Sequence, residues 1–251
     1  MGKTDITLLD IPCALSVPIS LNTWRVRLAL NYKKLEYSTQ WVESSAIEAT
    51  CRSIGLPPTG TKRDGSPHYT LPAIIDRTNP DRPVLLSDSI PILEYLDKTY
   101  PDTELFPKHT RSFQSLFMQF VMPKLMAVAP DLVVGALLRS KTPNEQPHYR
   151  RRMEAAYGKP FEDLEKRGPE REAVYRSLEQ TFTSLKTAMD KNEDGEFLSG
   201  GQVLAIDLVF AAYLIWLQRL SPDEIWPRIV SWDNGRWERY LDNFKDWMTV
   251  V

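Results

Sequence analysis

Cysteine and histidine are scarce in this chain. Its 251 residues include two cysteines, Cys13 and Cys51, and three histidines, His68, His109 and His148. Two cysteines are too few for a disulfide framework, and the scattered histidines show no metal-ligand spacing, so no metal is expected. An excess of charge of one sign is missing too: 31 Lys and Arg against 33 Asp and Glu leave a net charge of −2. That provides no bulk attraction to nucleic acid or to an anionic membrane, and neither is expected as a partner. No apolar run approaches the ~18 residues of a membrane span. The closest, Val203–Leu217, is shorter and carries Asp207. The opening stretch MGKTDITLLD lacks the apolar core of a signal peptide. A cytoplasmic location with both thiols reduced is therefore expected.

What is present divides into two unlike halves. Up to about residue 100, apolar runs of strand length alternate with amphipathic stretches. Ile6–Ile11 reads as a strand, Trp24, Leu28, Tyr32 and Leu35 recur at helical spacing, and Tyr37–Val42 reads as a second strand. That is a βαβ unit, whose strands run parallel through a right-handed crossover. Gly55–Pro67, with Pro57–Pro58, Gly60, Asp64–Gly65 and Pro67, is a loop by composition. Two more apolar runs, Leu71–Ile75 and Val84–Leu86, precede a helix from about Ser89. After Pro101 the periodicity is helical only. An apolar helix starting near Phe113 is expected to bend at Pro123 or Pro130. Val174, Leu178, Phe182, Leu185 and Met189 mark an amphipathic helix, and Trp237, Tyr240, Leu241 and Phe244 another. Val203–Leu217 is apolar on nearly all sides, so it should form the buried central helix. The polar interval from Ser140 to Glu172 carries the weakest pattern. The expected fold is a βαβ-α-ββα domain on a four-stranded mixed sheet, followed by an all-α bundle.

Three short segments carry the chemistry. Thr70-Leu71-Pro72-Ala73-Ile74 places a proline at the opening of an apolar strand, one of the few sheet positions that tolerates it. Read alone, it is an ordinary strand-opening proline. Ser87-Asp88-Ser89-Ile90 joins a strand to a helix. Read alone, Asp-Ser is an N-cap; equally, a helix N-terminus offers unpaired N–H groups and a partial positive charge to a carboxylate. Ser20 precedes a helix that either Asn22 or Thr23 can cap, in the run Ser20-Leu21-Asn22-Thr23-Trp24-Arg25-Val26-Arg27-Leu28-Ala29-Leu30-Asn31-Tyr32-Lys33. A hydroxyl at a helix N-terminus stabilises a thiolate over a thiol. Lowering a thiol pKa by about two corresponds to roughly 2.7 kcal/mol.

Together these segments resemble the cytosolic glutathione transferase superfamily. The Trp24-Arg25-Val26-Arg27 run resembles its fungal etherase-like (FuA-type, serine-containing) class, related to bacterial β-etherases. So do Pro58–Pro67, Tyr149–Glu154 and Gly158–Leu164. The resemblance implies a thioredoxin-like glutathione-binding domain over 1–101, a linker over 102–108, and an all-helical domain over 109–251 that contributes the hydrophobic acceptor site. It implies glutathione as co-substrate, bound through Leu71, a cis Pro72, Asp88 and Ser89, with Lys62, beside Arg63, reaching the glycyl carboxylate. Ser20 takes the catalytic place, stabilising the thiolate for attack on electrophilic aromatic compounds of lignin or plant origin; cleavage of a phenolic ether is one form of that reaction. Cys13, at the end of the first strand, is the rival nucleophile; counting back from Arg27-Leu28-Ala29-Leu30 favours Ser20. Homodimerisation is also implied. Two departures are visible. Leu21 stands where most relatives carry Pro, and Leu204 stands where Ser or Thr usually pairs with Asp207 in a capping box. Both favour the alternative reading, a ligandin that sequesters hydrophobic aromatics with little turnover. Arg150–Arg152, taken alone, is a solvated basic cluster, and Phe113, Phe117, Met118, Phe120 and Met122 supply either core or acceptor-site wall.

Overall fold

In the computed structural model, which describes residues 3–192 and 195–251, strand β1 (Ile6–Asp10) leads through a ten-residue loop to helix α1 (Leu21–Tyr32). The chain returns as β2 (Tyr37–Trp41), parallel to β1, with Ile6 beside Tyr37 and Asp10 beside Trp41. Helix α2 (Ile47–Ile54) ends on Gly55, whose φ of +84° is the left-handed conformation a helix C-cap favours. The segment expected to be a loop then contains a small hairpin, β3 (Gly60–Thr61) with β4 (Pro67–His68). Strand β5 (Ala73–Asp76) runs antiparallel to β1, β6 (Val84–Ser87) runs antiparallel to β5, and helix α3 (Ser89–Thr99) follows. The sheet order is β2-β1-β5-β6, four strands of mixed direction, as the element order predicts.

Helices cover both faces, which explains why β1 and β5 are apolar without alternation. Successive residues on a strand face opposite ways. Leu8 and Ile74 join the main core with α1 and α3, whereas Leu9, Ala73 and Ile75 pack with α2 in a second one. Cys51 lies in that second core at 1% exposure, a small buried hydrophobe.

The remainder is helical. Helix α4 (Arg111–Leu116) passes through a π-turn (Phe117–Val121) into α5 (Met122–Met126), then α6 (Ala129–Leu132) and α7 (Val134–Arg139). In place of the expected bend, the helix takes this π-turn just before Pro123. Proline cannot donate to the carbonyl four residues back, and Met122 N–H reaches five residues back to Phe117 O instead. Pro130 sits in the first turn of α6, where its missing N–H costs nothing. The weakly patterned interval holds α8 (Gln146–Tyr157), which packs Tyr149 against Phe161 and Leu164 in a small core of its own. The basic cluster is exposed and paired there: Arg150 meets Glu154 and Glu162.

Helix α9 (Gly168–Met189) buries Leu178, Phe182, Leu185 and Met189 as the periodicity predicts. Helix α10 (Ala205–Leu220) is buried on nearly every side and packs along α1. Helices α11 (Ile225–Ser231) and α12 (Arg236–Asp242) close the bundle, with Trp237, Tyr240, Leu241 and Phe244 all in the core. The half capping box at Asp207 is real. Its Oδ2 accepts Leu204 N–H (2.9 Å), and its Oδ1 accepts Leu198 N–H (2.7 Å) and Tyr240 O–H (2.8 Å). Burial nonetheless pushes the Asp207 pKa up to about 6.

Candidate active site

The strand register brings the motif residues together. Leu9 lies beside Ala73, and Ala73 beside Ser87. The carboxyl ends of β1 and β6 and the start of β5 thus share one sheet edge, and from it both α1 and α3 begin. Crevices at the carboxyl ends of strands are where open α/β sheets bind ligands.

Ser20 is itself the N-cap of α1, so neither Asn22 nor Thr23 holds that place; Leu21 already has helical geometry. The Ser20 Oγ accepts the Thr23 N–H at 3.4 Å and the Thr23 hydroxyl at 2.8 Å. Ser20 Oγ thus sits at the positive end of α1, where a hydroxyl can donate to an anion.

The loop before Ser20 is clamped from two sides. Pro18 C=O accepts Trp24 Nε1–H at 2.9 Å and Arg219 Nη1–H at 2.7 Å, and the Arg219 guanidinium lies 4.3 Å from the Trp24 ring centre. Arg27 adds a third restraint. Fully buried, it meets Asp10 at 2.9 Å, Tyr37 Oη at 3.2 Å and Thr39 Oγ1 at 3.1 Å, tying α1 to the ends of β1 and β2.

Leu71–Pro72 is a cis peptide, as the resemblance implies. Among the described residues neither Leu71 N–H nor its C=O has a protein partner. Pro72 C=O accepts Asp88 N–H at 3.1 Å, joining the proline motif to the Asp-Ser motif. Asp88 is exposed, with φ +78° and ψ 137°, a region that residues other than glycine enter only at a cost. Ser89, 1% exposed, begins α3. Its Oγ accepts from Arg25 Nη1 at 3.3 Å. Sequence reasoning missed Arg25 because it reads as one polar residue on a helix. In the fold it is 8% exposed, and its buried Nε has no hydrogen-bond partner among the described residues. Burial pulls its pKa down to about 10 against the opposing charge of Asp88. An anionic side chain, a buried cation and a helix N-terminus therefore meet within a few residues, a combination suited to an α-amino acid head group.

Lys62 lies apart from these groups, in the β3–β4 turn, with Nζ on Glu48 of α2 at 2.8 Å; Arg63 is exposed beside it. Cys13 donates to Val17 C=O at 3.1 Å, and burial pushes its thiol pKa up, the wrong direction for thiolate chemistry. The aromatic and methionine supply of α4 and α5 is sorted by the fold. Phe117 and Met122 are core, Phe113 and Phe120 are exposed, and Met118 lines a cavity between α3 and α10.

The class defined by this fold and edge is a thioredoxin-like domain joined to a helical bundle, with a serine capping its first helix and a cis-proline just before β5. Comparison with known proteins gives the family. The "Glutathione S-transferase, N-terminal domain" model matches residues 19–99, and the "Glutathione S-transferase, C-terminal domain" model matches residues 112–247. Glutathione transferase GSTFuA3 of Phanerochaete chrysosporium is 34% identical, with a TM-score of 0.91 over 100% of both chains. A Ceriporiopsis subvermispora glutathione S-transferase, solved in complex with glutathione, is 30% identical, with a TM-score of 0.89 over 98% of both chains. The glutathione S-transferase-like protein ustS of Aspergillus flavus is 26% identical over 91% of this chain and 84% of its own length. The chain belongs to the glutathione transferase family, and its structural neighbours include the FuA-type enzymes, as Trp24–Arg27 and the accompanying motifs implied. No described helix is long and apolar enough to cross a membrane.

Proposed function

We propose that this glutathione transferase uses Ser20 to hold the glutathione thiolate for attack on electrophilic aromatic compounds. The observation that carries the reading is the place of Ser20 as the N-cap of α1, which sets its hydroxyl at the positive end of the helix. In the reaction the thiol proton passes to solvent and Ser20 donates a hydrogen bond to the sulfur anion. A carbon–sulfur bond then forms as the leaving group departs with its electron pair; for an aryl ether the leaving group is a phenolate. Leu71 pairs its free backbone groups with the cysteinyl unit. Asp88 takes the ammonium of the γ-glutamyl end, while Ser89 and Arg25 take its carboxylate. Lys62 serves the glycyl carboxylate by exchanging Glu48 for it. The Ceriporiopsis relative is solved in complex with glutathione, which supports glutathione as the co-substrate.

We propose a division into a glutathione-binding domain over 1–101, a linker over 102–108 and an acceptor-site domain over 109–251, in a cytoplasmic homodimer. The exposed Phe113, Leu116 and Phe120 on the first helix of the bundle support self-association. The ligandin reading has one observation in its favour, an apolar cavity lined by Ile90, Phe106, Met118, Ile206 and Val209.

Steady-state kinetics with glutathione and a halonitrobenzene test the catalytic reading. Ser20→Ala is expected to lose about 100-fold in kcat/KM, the scale of one lost anion-stabilising donor, and to raise the pKa of bound glutathione. Unchanged kcat/KM and an unchanged thiol titration in Ser20→Ala would remove Ser20 from the mechanism.

A further inference from the structure

The turn between α7 and α8 holds two segments of the thioredoxin-like half at once. At its start, Ser140 C=O accepts Ala14 N–H at 2.8 Å, from the loop that leads to Ser20. At its end, Glu145 Oε1 accepts Ser45 N–H at 3.2 Å and Ser45 Oγ–H at 2.6 Å, from the short turn Ser44–Ala46 that leads into α2. Both anchors are fixed on the helical side. Ser140 is 2% exposed, and its Oγ donates to Leu137 C=O at 2.7 Å. Glu145 N–H donates to Thr142 C=O at 2.9 Å, and Glu145 C=O accepts Tyr149 N–H at 2.9 Å.

Glu145 is the less expected anchor. At 6% exposure its carboxylate loses most of its hydration, and a buried charge persists only where fixed donors replace the water. Ser45, 100 positions earlier in the chain, supplies two of them. Burial acts to raise the Glu145 pKa, but the bonds from Ser45, with nearby His148, outweigh it and hold the carboxyl below its ordinary value. The group is therefore an anion at neutral pH, and its bonds to the turn are charge-assisted, the stronger kind.

What these bonds fix is the place of α2. Three residues beyond Ser45, Glu48 pairs with Lys62 at 2.8 Å. Ile47 and Cys51 pack in the second core with Leu71 and Ala73, so the position of α2 is passed on to the cis-proline segment.

We propose that Glu145 is a positioning residue for glutathione: by latching Ser45 it keeps α2, and with it Lys62 and Leu71, in the binding-competent place. The proposal rests on the assignment of Lys62 and Leu71 to glutathione. Glu145 touches no reacting group, so it acts on affinity and leaves the chemical step at Ser20 unchanged once glutathione is bound.

Calorimetric titration with glutathione, and steady-state kinetics with glutathione and a halonitrobenzene, test this on the full chain. Glu145→Ala is expected to raise the Kd and KM for glutathione about tenfold, as for a site that is competent one tenth of the time. Its kcat at saturating glutathione should stay within about twofold of wild type. Glu145→Gln keeps an acceptor oxygen and should bring Kd back to within about threefold of wild type. Ser45→Ala, at an exposed position, keeps the backbone donor and should raise Kd about threefold. Combined with Glu145→Ala it should add nothing, because the two side chains make one interaction. Amide exchange over residues 44–54 should quicken in Glu145→Ala without glutathione. Wild-type Kd in a folded Glu145→Ala or in Ser45→Ala would overturn the proposal, as would additive effects of the two or a fall in kcat at unchanged KM. A wild-type chain that binds no glutathione would remove the assignment and the proposal together, a result distinct from wild-type Kd in the variants.

Discussion

Asp88→Gly separates what the fold demands at this position from what glutathione demands. The Asp88 backbone, at φ +78° and ψ 137°, places its Cβ in a region that costs a non-glycine residue about 1–3 kcal/mol. Glycine removes that strain but adds about 0.4–1 kcal/mol of unfolded-state entropy. The Asp88 side chain is exposed and makes no capping hydrogen bond, so little packing is lost; Arg25 loses a neighbouring negative charge. The net expectation is a variant about 0.5–2 kcal/mol more stable, with a melting temperature higher by roughly 1–6 °C for a chain of this size. Affinity should move the other way. Losing a charge-assisted bond to the glutathione ammonium costs about 1.5–3 kcal/mol, or roughly 10–150-fold in Kd. Asp88→Asn is the control, because asparagine keeps the shape and backbone strain of aspartate while lacking the charge. Its stability should stay near wild type while its Kd rises as in the glycine variant. Urea denaturation and calorimetric titration with glutathione read the two quantities separately. A glycine variant less stable than wild type refutes the strain argument, and unchanged Kd in both variants refutes the assignment of Asp88 to the ammonium.

Arg27→Met should destabilise the protein by about 3–5 kcal/mol, because it leaves the carboxylate of Asp10, 1% exposed, buried without its cation. Urea denaturation checks this, and a loss below about 1 kcal/mol would show that the pair is solvated in solution. Asp207 should make stability fall as pH rises. Its folded pKa of about 6 lies above the ordinary aspartate value of 3.8, so the folded state binds the proton more tightly. Its contribution is fully present below the unfolded value and is lost as pH climbs through 6. The stability of wild type relative to Asp207→Asn should therefore drop by about 1–2 kcal/mol between pH 5 and 7.5. A difference that stays flat or grows over that range contradicts the buried, upshifted carboxyl.

The fold was legible wherever hydrophobic period and length agreed. Ile6–Ile11, Tyr37–Val42 and Val203–Leu217 fall on β1, β2 and α10 to within a few residues. Pro72 and Asp88-Ser89 were legible because each stands at a boundary between elements, where a residue's type has few structural uses. The buried cations were not. Arg25, Arg27 and Lys33 are charged residues in and just after α1, yet they are 8%, 0% and 2% exposed. What makes their burial tolerable lies far along the chain: Ser89 for Arg25, Asp10, Tyr37 and Thr39 for Arg27, and the carbonyls of Tyr100 and Thr103 for Lys33. Periodicity reports only a residue's own preference for water, so a cation satisfied by distant groups is invisible to it.

The apolar stripe of the first bundle helix was misleading for a different reason. Phe113, Phe117 and Phe120 share a face in an unbroken α-helix, and as such they serve equally well as core or as acceptor-site wall. The π-turn removes that equivalence. Buried positions advance 114, 117, 122, 125, and the step of five between Phe117 and Met122 coincides with the Met122–Phe117 backbone bond. One extra residue turns the later part of the helix by about 100° relative to a regular continuation. Phe120 is carried to the surface at 62% exposure, while Met122 and Leu125 take the inward places. The proline responsible, Pro123, was visible in the sequence, but its effect was expected as a bend. A bend keeps the phase of the stripe and a π-turn does not. The aromatic residues that a ligand or a second copy can reach are thus set by where one missing N–H is accommodated.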